Sequence, residues 1–451
     1  MGERGDRYDV AVLGGGIAGS LAACAAARHG ARTLLVERLG HLGGTLSSCL
    51  VGPMMTFHCK GEQIIRGLPG ELVERLVRGG WSPGHMPDSS GYTYSVTPFD
   101  AEGMKLELEA MVREAGADIL YDACLFGARA EGGALRELSL AARSGEMRLS
   151  ARAYVDATGD AALSAFAGFP IARPERFQPA TMVFKMAGVD IPAVKAYMRS
   201  HPEEFPRVAG RPGLADSAPR LALSGFVETL KRAKAAGEYS VEREDLLFFE
   251  SNLPGEVVVN TSRVFVRDPV DPEDFSRLTL EGRSQVRELA AFLAARIPGF
   301  SKARLLASGE EIGIRNSRQV EGEYRLTDED ILLSRPMPDA IAHSAYPIDM
   351  HSSTGGGTDS RFLPEGRYYD IPYRCLIPRL SRNLLVAGRC ASATFAAQAS
   401  IRLSPSAGAM GQAAGLAASI AAGRGLPVAE VDPGELRDAL RAQGAWLPPR
   451  P

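Results

Sequence analysis

The apolar positions change their period along the chain, and the changes mark out its elements. Residues 10–37 read VAVLGGGIAGSLAACAAARHGARTLLVE. An apolar run ends in glycines, an alanine-rich segment follows, and a second apolar run ends at an acid. This pattern predicts strand, turn, helix and strand. Residues 100–115, DAEGMKLELEAMVREA, predict a helix capped by Asp100. Strands follow at 117–121 and 125–130, with Glu131-Gly-Gly133 as a hairpin turn, and residues 152–160 predict a strand ending in Gly-Asp. Residues 50–98 are rich in Gly, Pro, Met and Ser and predict an irregular excursion beside the active site.

The middle of the chain has another character. FQPATMVFKMAGV and GEVVVNTSRVFV alternate like strands. Helices are predicted over 190–200 and 222–236, and an amphipathic one over Ser276–Arg296 stops at Pro298-Gly299. From 383 the early pattern returns. Asn383–Arg389 predicts a buried strand ending in glycine, Pro405–Ala422 a helix dense in small residues, and 433–443 a last short helix. These elements predict an α/β fold. A Rossmann-like nucleotide-binding domain with a parallel sheet is assembled from 1–174 and 371–451. An inserted α+β substrate lobe with a mixed or antiparallel sheet spans 175–370.

Composition narrows the class. The chain has 451 residues, 45% hydrophobic and 23% charged, with a net charge of −3. That gives no electrostatic case for nucleic acid or an anionic membrane. No run offers the roughly 20 apolar residues of a spanning helix. A cytoplasmic monomer or homodimer is expected. None of the six cysteines forms C-x-x-C or C-x₄-C, which speaks against a flavin disulfide reductase. No Cys/His arrangement suggests a metal.

Gly14, Gly16 and Gly19 form G-x-G-x-x-G between strand and helix. Gly14 suits the tight turn, Gly16 a close approach of backbone to pyrophosphate, and Gly19 close helix packing. The first helical turn, Ile17 and Ala18 included, presents free N–H groups to the phosphates. Glu37, about 20 residues on, suits a ribose hydroxyl and argues against a 2′-phosphate. The motif alone fits FAD or NAD.

Four segments decide between them: the fingerprint at 14–37, Leu42-Gly43-Gly44-Thr45, Asp156-Ala-Thr-Gly159-Asp160, and Leu385-Val-Ala-Gly388-Arg389-Cys390 with the Gly408–Gly415 helix. Together they resemble the bacterial FAD-dependent oxidoreductase family, a two-domain Rossmann type related to the flavin subunit of heterodisulfide reductase. The resemblance implies FAD in an extended form. It assigns Gly14, Gly16, Gly19, Glu37 and Arg38 to the adenosine and pyrophosphate half. Gly43, Gly44, Thr45 and Ser47 would pass the isoalloxazine, and Gly159 and Asp160 would lie near the adenine side. Gly388, Arg389, Gly408, Met410 and Gly411 would lie about the flavin, where a helix N-terminus would stabilise negative charge on its pyrimidine.

The implied activity is hydride transfer between a small organic substrate and flavin N5. No second G-x-G-x-x-G follows a strand, so no separate NAD(P)H domain is expected, and electrons pass to an unidentified acceptor. A hydroxylase-type monooxygenase and an electron-transfer subunit docking on a partner protein are the alternatives. Among the seven histidines, His351 beside Asp349 is the favoured acid–base group, because an acid orients and tunes an imidazole. His58, His85, His343 and Tyr373 are weaker candidates. Arg315, Arg374 and Arg389 are candidate carboxylate clamps.

Overall fold

The first apolar runs form the strands their pattern predicts. In a computed structural model that describes residues 4–211 and 213–448, β1 (Arg4–Leu13) leads through the glycine turn into α1 (Ile17–Arg28) and β2 (Thr33–Val36). Val10 and Val12 face one apolar core, and Ala11 and Leu13 face another, so β1 is buried on both sides. β1 pairs in parallel with β2, Val10 opposite Thr33 and Leu13 opposite Val36.

Two helices then cover the sheet. α2 (Leu68–Arg78) lies inside the segment expected to be irregular. Its Pro69 and Gly70 occupy the first turn, where a missing N–H costs nothing, so residues that read as breakers open a helix instead. α3 (Ala101–Glu114) has Asp100 as N-cap, accepting from the N–H groups of Glu102 and Gly103. β3 (Asp118–Leu120), β4 (Cys124–Glu131), β5 (Ala134–Ala142) and β6 (Gly145–Asp156) follow. β6 changes partner along its length. Its start pairs antiparallel with β5, and its end pairs in parallel with β1. It stops at Asp156, three residues before the Gly-Asp pair begins.

A five-stranded antiparallel sheet forms the second core. Its strands are β7 (Phe184–Ala187), β8 (Ala222–Gly225), β9 (Leu246–Glu250), β10 (Glu256–Val259) and β11 (Arg304–Ser308), in the order β8-β9-β10-β7-β11. The long helix α4 (Pro272–Arg296) buries Leu278, Val286, Leu289 and Leu293 in the same core. The helix expected over 222–236 is divided. Ala222–Gly225 is fully buried and pairs with β9, and the helix begins only at Val227, after Phe226 at φ +60. Pairing overrides local propensity there.

This second core spans Ala180 to Ile312, whereas Val320 through Met350 contribute to the first core. The hairpin β12 (Ile348–His351) and β13 (Thr358–Arg361) lies in that return. β14 (Leu384–Val386) then rejoins the first sheet beside β6, completing the parallel order β3-β2-β1-β6-β14. α5 (Phe395–Ile401) and α6 (Ser404–Arg424) follow. Among the described residues no helix is long and apolar enough to cross a membrane. All six cysteines are free.

α6 packs directly on α1. A Cβ on Gly411 would sit 2.0 Å from the Ala18 carbonyl oxygen. Gly411→Ala should therefore cost about 1–3 kcal/mol or more by overpacking. Gly423→Ala, on the same helix with open space around it, should be neutral or stabilising by up to about 1 kcal/mol. Denaturant melts of the two variants check the contrast; equal stabilities would contradict it.

Candidate functional site

The glycine turn is built for close backbone approach. Gly14 has φ +99, and a Cβ there would lie 2.6 Å from the Ala157 oxygen. A Cβ on Gly19 would lie 1.8 Å from the Gly14 oxygen. Helix α1 opens at Gly16 with no side-chain cap, which leaves its first-turn N–H groups, those of Ile17, Ala18 and Gly19, to a ligand. The Gly43 N–H donates to the Gly15 oxygen at 2.8 Å, so the second glycine segment lies against the first. Glu37 is buried and takes part in the turn itself. Its Oε2 accepts from the Gly15 N–H at 2.5 Å and its Oε1 from the Leu39 N–H at 2.8 Å. Each oxygen keeps a lone pair for a ribose hydroxyl. This uncapped helix end, glycine cradle and carboxylate fit a dinucleotide.

The other expected cofactor residues fall into three groups. Ser47 Oγ donates to the Leu42 oxygen at 2.8 Å and braces the turn that contains Gly44 and Thr45. Arg38 pairs with Glu311. Gly408, Met410 and Gly411 are buried along α6, and contact with α1 accounts for the small residue at Gly411. Beyond β6, Asp160 accepts from Arg389 Nη2 at 2.7 Å and from Ser317 Oγ at 2.6 Å. Burial opposes the charge of Asp160, but Arg389 and Ser317 outweigh it and hold the carboxyl below its usual value. Arg389 follows Gly388 in the turn after β14, its guanidinium lies over Gly159, and its Nε is buried without a partner among the described residues.

A second polar cluster forms where the hairpin β12–β13 meets α5. His351 Nε2 lies 3.3 Å from Asp349 Oδ2, and Thr358 Oγ1 lies 3.2 Å from His351 Nδ1. Tyr92 OH donates to Asp349 Oδ1 at 2.9 Å, and Arg402 Nη2 donates to Oδ2 at 3.4 Å. Burial opposes the Asp349 charge, yet His351 and Arg402 hold its carboxyl far below the usual range. Burial and Arg315 push the His351 imidazole down to about 3, so it is neutral at pH 7. Asp349 only accepts, so the ring hydrogen is assigned to Nε2, and Nδ1 accepts from the Thr358 hydroxyl.

Arg315 stands beside this cluster, donating to Thr181 Oγ1 at 2.8 Å. Arg389 does not join it. Gln398 connects the two, its Nε2 donating to the Arg315 oxygen at 3.0 Å and the Arg389 oxygen at 3.5 Å. Tyr92, Gln178, Arg263, Gln398 and Arg402 are residues that sequence reasoning missed. They come from four separate segments, Gln398 and Arg402 sharing α5 and its C-cap, and no local spacing joins those segments. Other candidates lie elsewhere. Arg374 pairs with Asp339 at 3.0 Å, Tyr373 OH donates to the Val428 oxygen, and His343 Nδ1 lies 2.8 Å from Asp370. His58 and His85 stack edge-on at 4.9 Å, with Ser95 and Thr97 as their partners.

Comparison with known proteins agrees with the cradle. The model of the FAD dependent oxidoreductase family matches residues 9–440. Digeranylgeranylglycerophospholipid reductase of Methanocaldococcus jannaschii is 31% identical over 142 residues, 29% of this chain and 33% of that protein. The match thus spans about a third of that relative's length. A geranylgeranyl bacteriochlorophyll reductase-like protein of Thermoplasma acidophilum superposes with a TM-score of 0.47 at 12% identity, over 97% of this chain and 82% of that one. For p-nitrophenol 4-monooxygenase of Pseudomonas putida the score is 0.47 at 11% identity, over 97% and 88%. Scores of this size carry no substrate or mechanism across.

Two outcomes follow from this geometry. Glu37→Ala removes the anchor of the Gly15 N–H together with the ribose acceptor, and should lose FAD on dialysis; full retention would contradict the assignment. His351 is neutral in the fold but protonates near its usual value, about 6.5, when unfolded. Between about pH 6.5 and 3 the unfolded chain binds the extra proton, so this group's contribution to stability falls as pH falls. At pH 5, His351→Gln should take up about one proton fewer on unfolding than the parent chain. Equal slopes of stability against pH would show that His351 is not held neutral.

Proposed function

The chain belongs to the FAD dependent oxidoreductase family, and we propose that it acts as a dehydrogenase, reductase or oxidase on a small organic substrate held beside Asp349, His351 and Thr358. FAD supplies the two-electron redox chemistry when bound, and the glycine turn, α1 and Glu37 would hold it. The observation that carries the reading is the chain of contacts from the buried Asp349 through His351 to the half-buried Thr358. It is a proton path with a neutral imidazole at its centre.

Oxidising a carbon that bears O–H or N–H releases a proton along with the electron pair. Thr358 donates its hydroxyl hydrogen inward to His351, so its lone pairs are left for the substrate. A substrate proton can pass to Thr358 Oγ1 as the threonine's own proton moves to His351 Nδ1. Asp349 then stabilises the imidazolium through Nε2–H, an orienting role for a carboxylate. Reduction runs the same path backwards. Tyr92 and Arg402 fix Asp349, which is buried at the inner end of the path. The electron partner is a second small molecule or a carrier protein.

An anaerobic screen of small alcohols, amines and hydroxy acids, followed by bleaching of the bound flavin, identifies the reductant. With it in hand, His351→Gln and Thr358→Val should each slow bleaching about 10²–10⁴-fold while the visible spectrum stays normal. An unchanged rate in both variants would remove the proton path. Rapid bleaching by NADPH alone, with a peroxyflavin signal on oxygenation, would replace this reading with the monooxygenase.

A further inference from the structure

We infer that the substrate of this site carries a carboxylate, received by Arg263, Arg402 and Gln178. This deepens the reading above and rests on it. Arg263 and Gln178 are 2% and 1% exposed. Arg263 Nη2 donates to the Ser352 and Gly357 oxygens at 2.9 and 2.8 Å, but its Nε and Nη1 have no partner. Arg402 Nε and Gln178 Nε2 are likewise buried and unpartnered. A buried donor left unmet is costly, and more so on a charged group. Four donor atoms on three side chains about one imidazole point to an acceptor that arrives with the substrate. Gln178 accepts from the His351 N–H at 3.2 Å, so its free amide hydrogens lie beside the proton path.

The charge balance requires that acceptor to be an anion. Arg243, Arg263 and Arg402 act on Arg315, Arg315 and Arg243 act on His351, and the acids among them are Asp349, Asp245 and the exposed Glu244. Arg243 is paired with Asp245 at 2.9 Å, and Asp349 is shared by Arg402 and His351. Among the described residues Arg263 and Arg315 are left without a carboxylate partner. Burial and Arg243 push Arg263 down to about 10, and burial and Arg402 push Arg315 well below its usual value. Burial is the larger cause in both, and the neighbouring arginines add to it. The oxidised flavin ring offers neutral carbonyls that do not balance this positive charge. The cofactor's phosphates have their own cradle at α1, which shares no hydrogen bond with these residues. A planar guanidinium and an amide suit a carboxylate, the anion that sits naturally beside an oxidisable carbon.

The test uses the oxidised holoenzyme and redox-inert probes. Acetate and succinate are titrated by calorimetry and by perturbation of the visible flavin band, with acetamide, succinamide and inorganic phosphate as comparisons. The expected result is carboxylate binding at least tenfold tighter than that of the amides or phosphate. Arg402→Gln and Arg263→Gln should each weaken it about 10- to 100-fold, with the flavin spectrum retained. Arg263 also holds the loop after β12, so Arg402→Gln, which spares that loop, is the deciding variant. Equal binding of amide and carboxylate, tighter binding of phosphate, or unweakened binding in Arg402→Gln would overturn the inference. Bleaching by a neutral metabolite in a protein that ignores carboxylates would sink this inference and leave the redox reading standing. Carboxylate binding in a protein whose flavin no metabolite bleaches would do the reverse.

Discussion

The contact between α1 and α6 is the constraint on which the rest depends. Each helix is lined with small residues where they meet, and Cβ atoms on Gly411 and Gly415 would stand 2.0 Å from the Ala18 and Ala22 oxygens. Backbones that close permit dense dispersion contact while burying few large side chains. The chemistry follows from the geometry. The N-terminal end of α1 carries the glycine turn, and Arg402 lies two residues before α6 begins. Fixing one helix on the other fixes the cofactor cradle relative to the Asp349 cluster, although nearly the whole chain separates them in sequence.

A polar seam completes that link. Asp160, Arg389, Ser317 and Arg318 join the end of β6, the turn after β14 and the segment that returns from the second core. Buried ion pairs contribute little net stability, but removing one partner from such a pair is costly. The seam therefore specifies position more than it stabilises. Gln398 extends it, donating to main-chain oxygens on both sides. Gln398 thereby ties the main chain at Arg389 to that at Arg315.

The two sites differ in how far they could be read from the sequence. The cradle was legible because strand, turn, helix and acid follow one another within thirty-odd residues, and each has its own local period. The Asp349–His351 pair was legible for the same reason, being two residues apart on one strand. Arg402, Arg263, Gln178 and Tyr92 carry no local signal. Only the packing of α5, the second core and the excursion near residue 92 brings them together. Arg374 shows the converse. It sits in a segment that suggested a clamp, yet its partner Asp339 lies on a neighbouring turn and its side chain is 44% exposed. Pro69 and Gly70 misled in another way, since residues that break a helix interior are well placed in its first turn.

The electrostatics of His351 tie the two functional ideas together. Its neutrality has two causes, burial and the arginines around it, and the second depends on what occupies the site. While Arg315 stands without a carboxylate partner among the described residues, an added proton on the imidazole meets like charge in a poorly screened place. An anion seated on the neighbouring guanidiniums cancels part of that repulsion and leaves Asp349 to favour the imidazolium. The imidazole is then a weak base in the empty site and a stronger one in the loaded site. On the proposed reading, positive charge that is costly in the free protein would become a means of coupling substrate binding to proton transfer. The coupling needs no movement of the fold, only a ligand of the right sign.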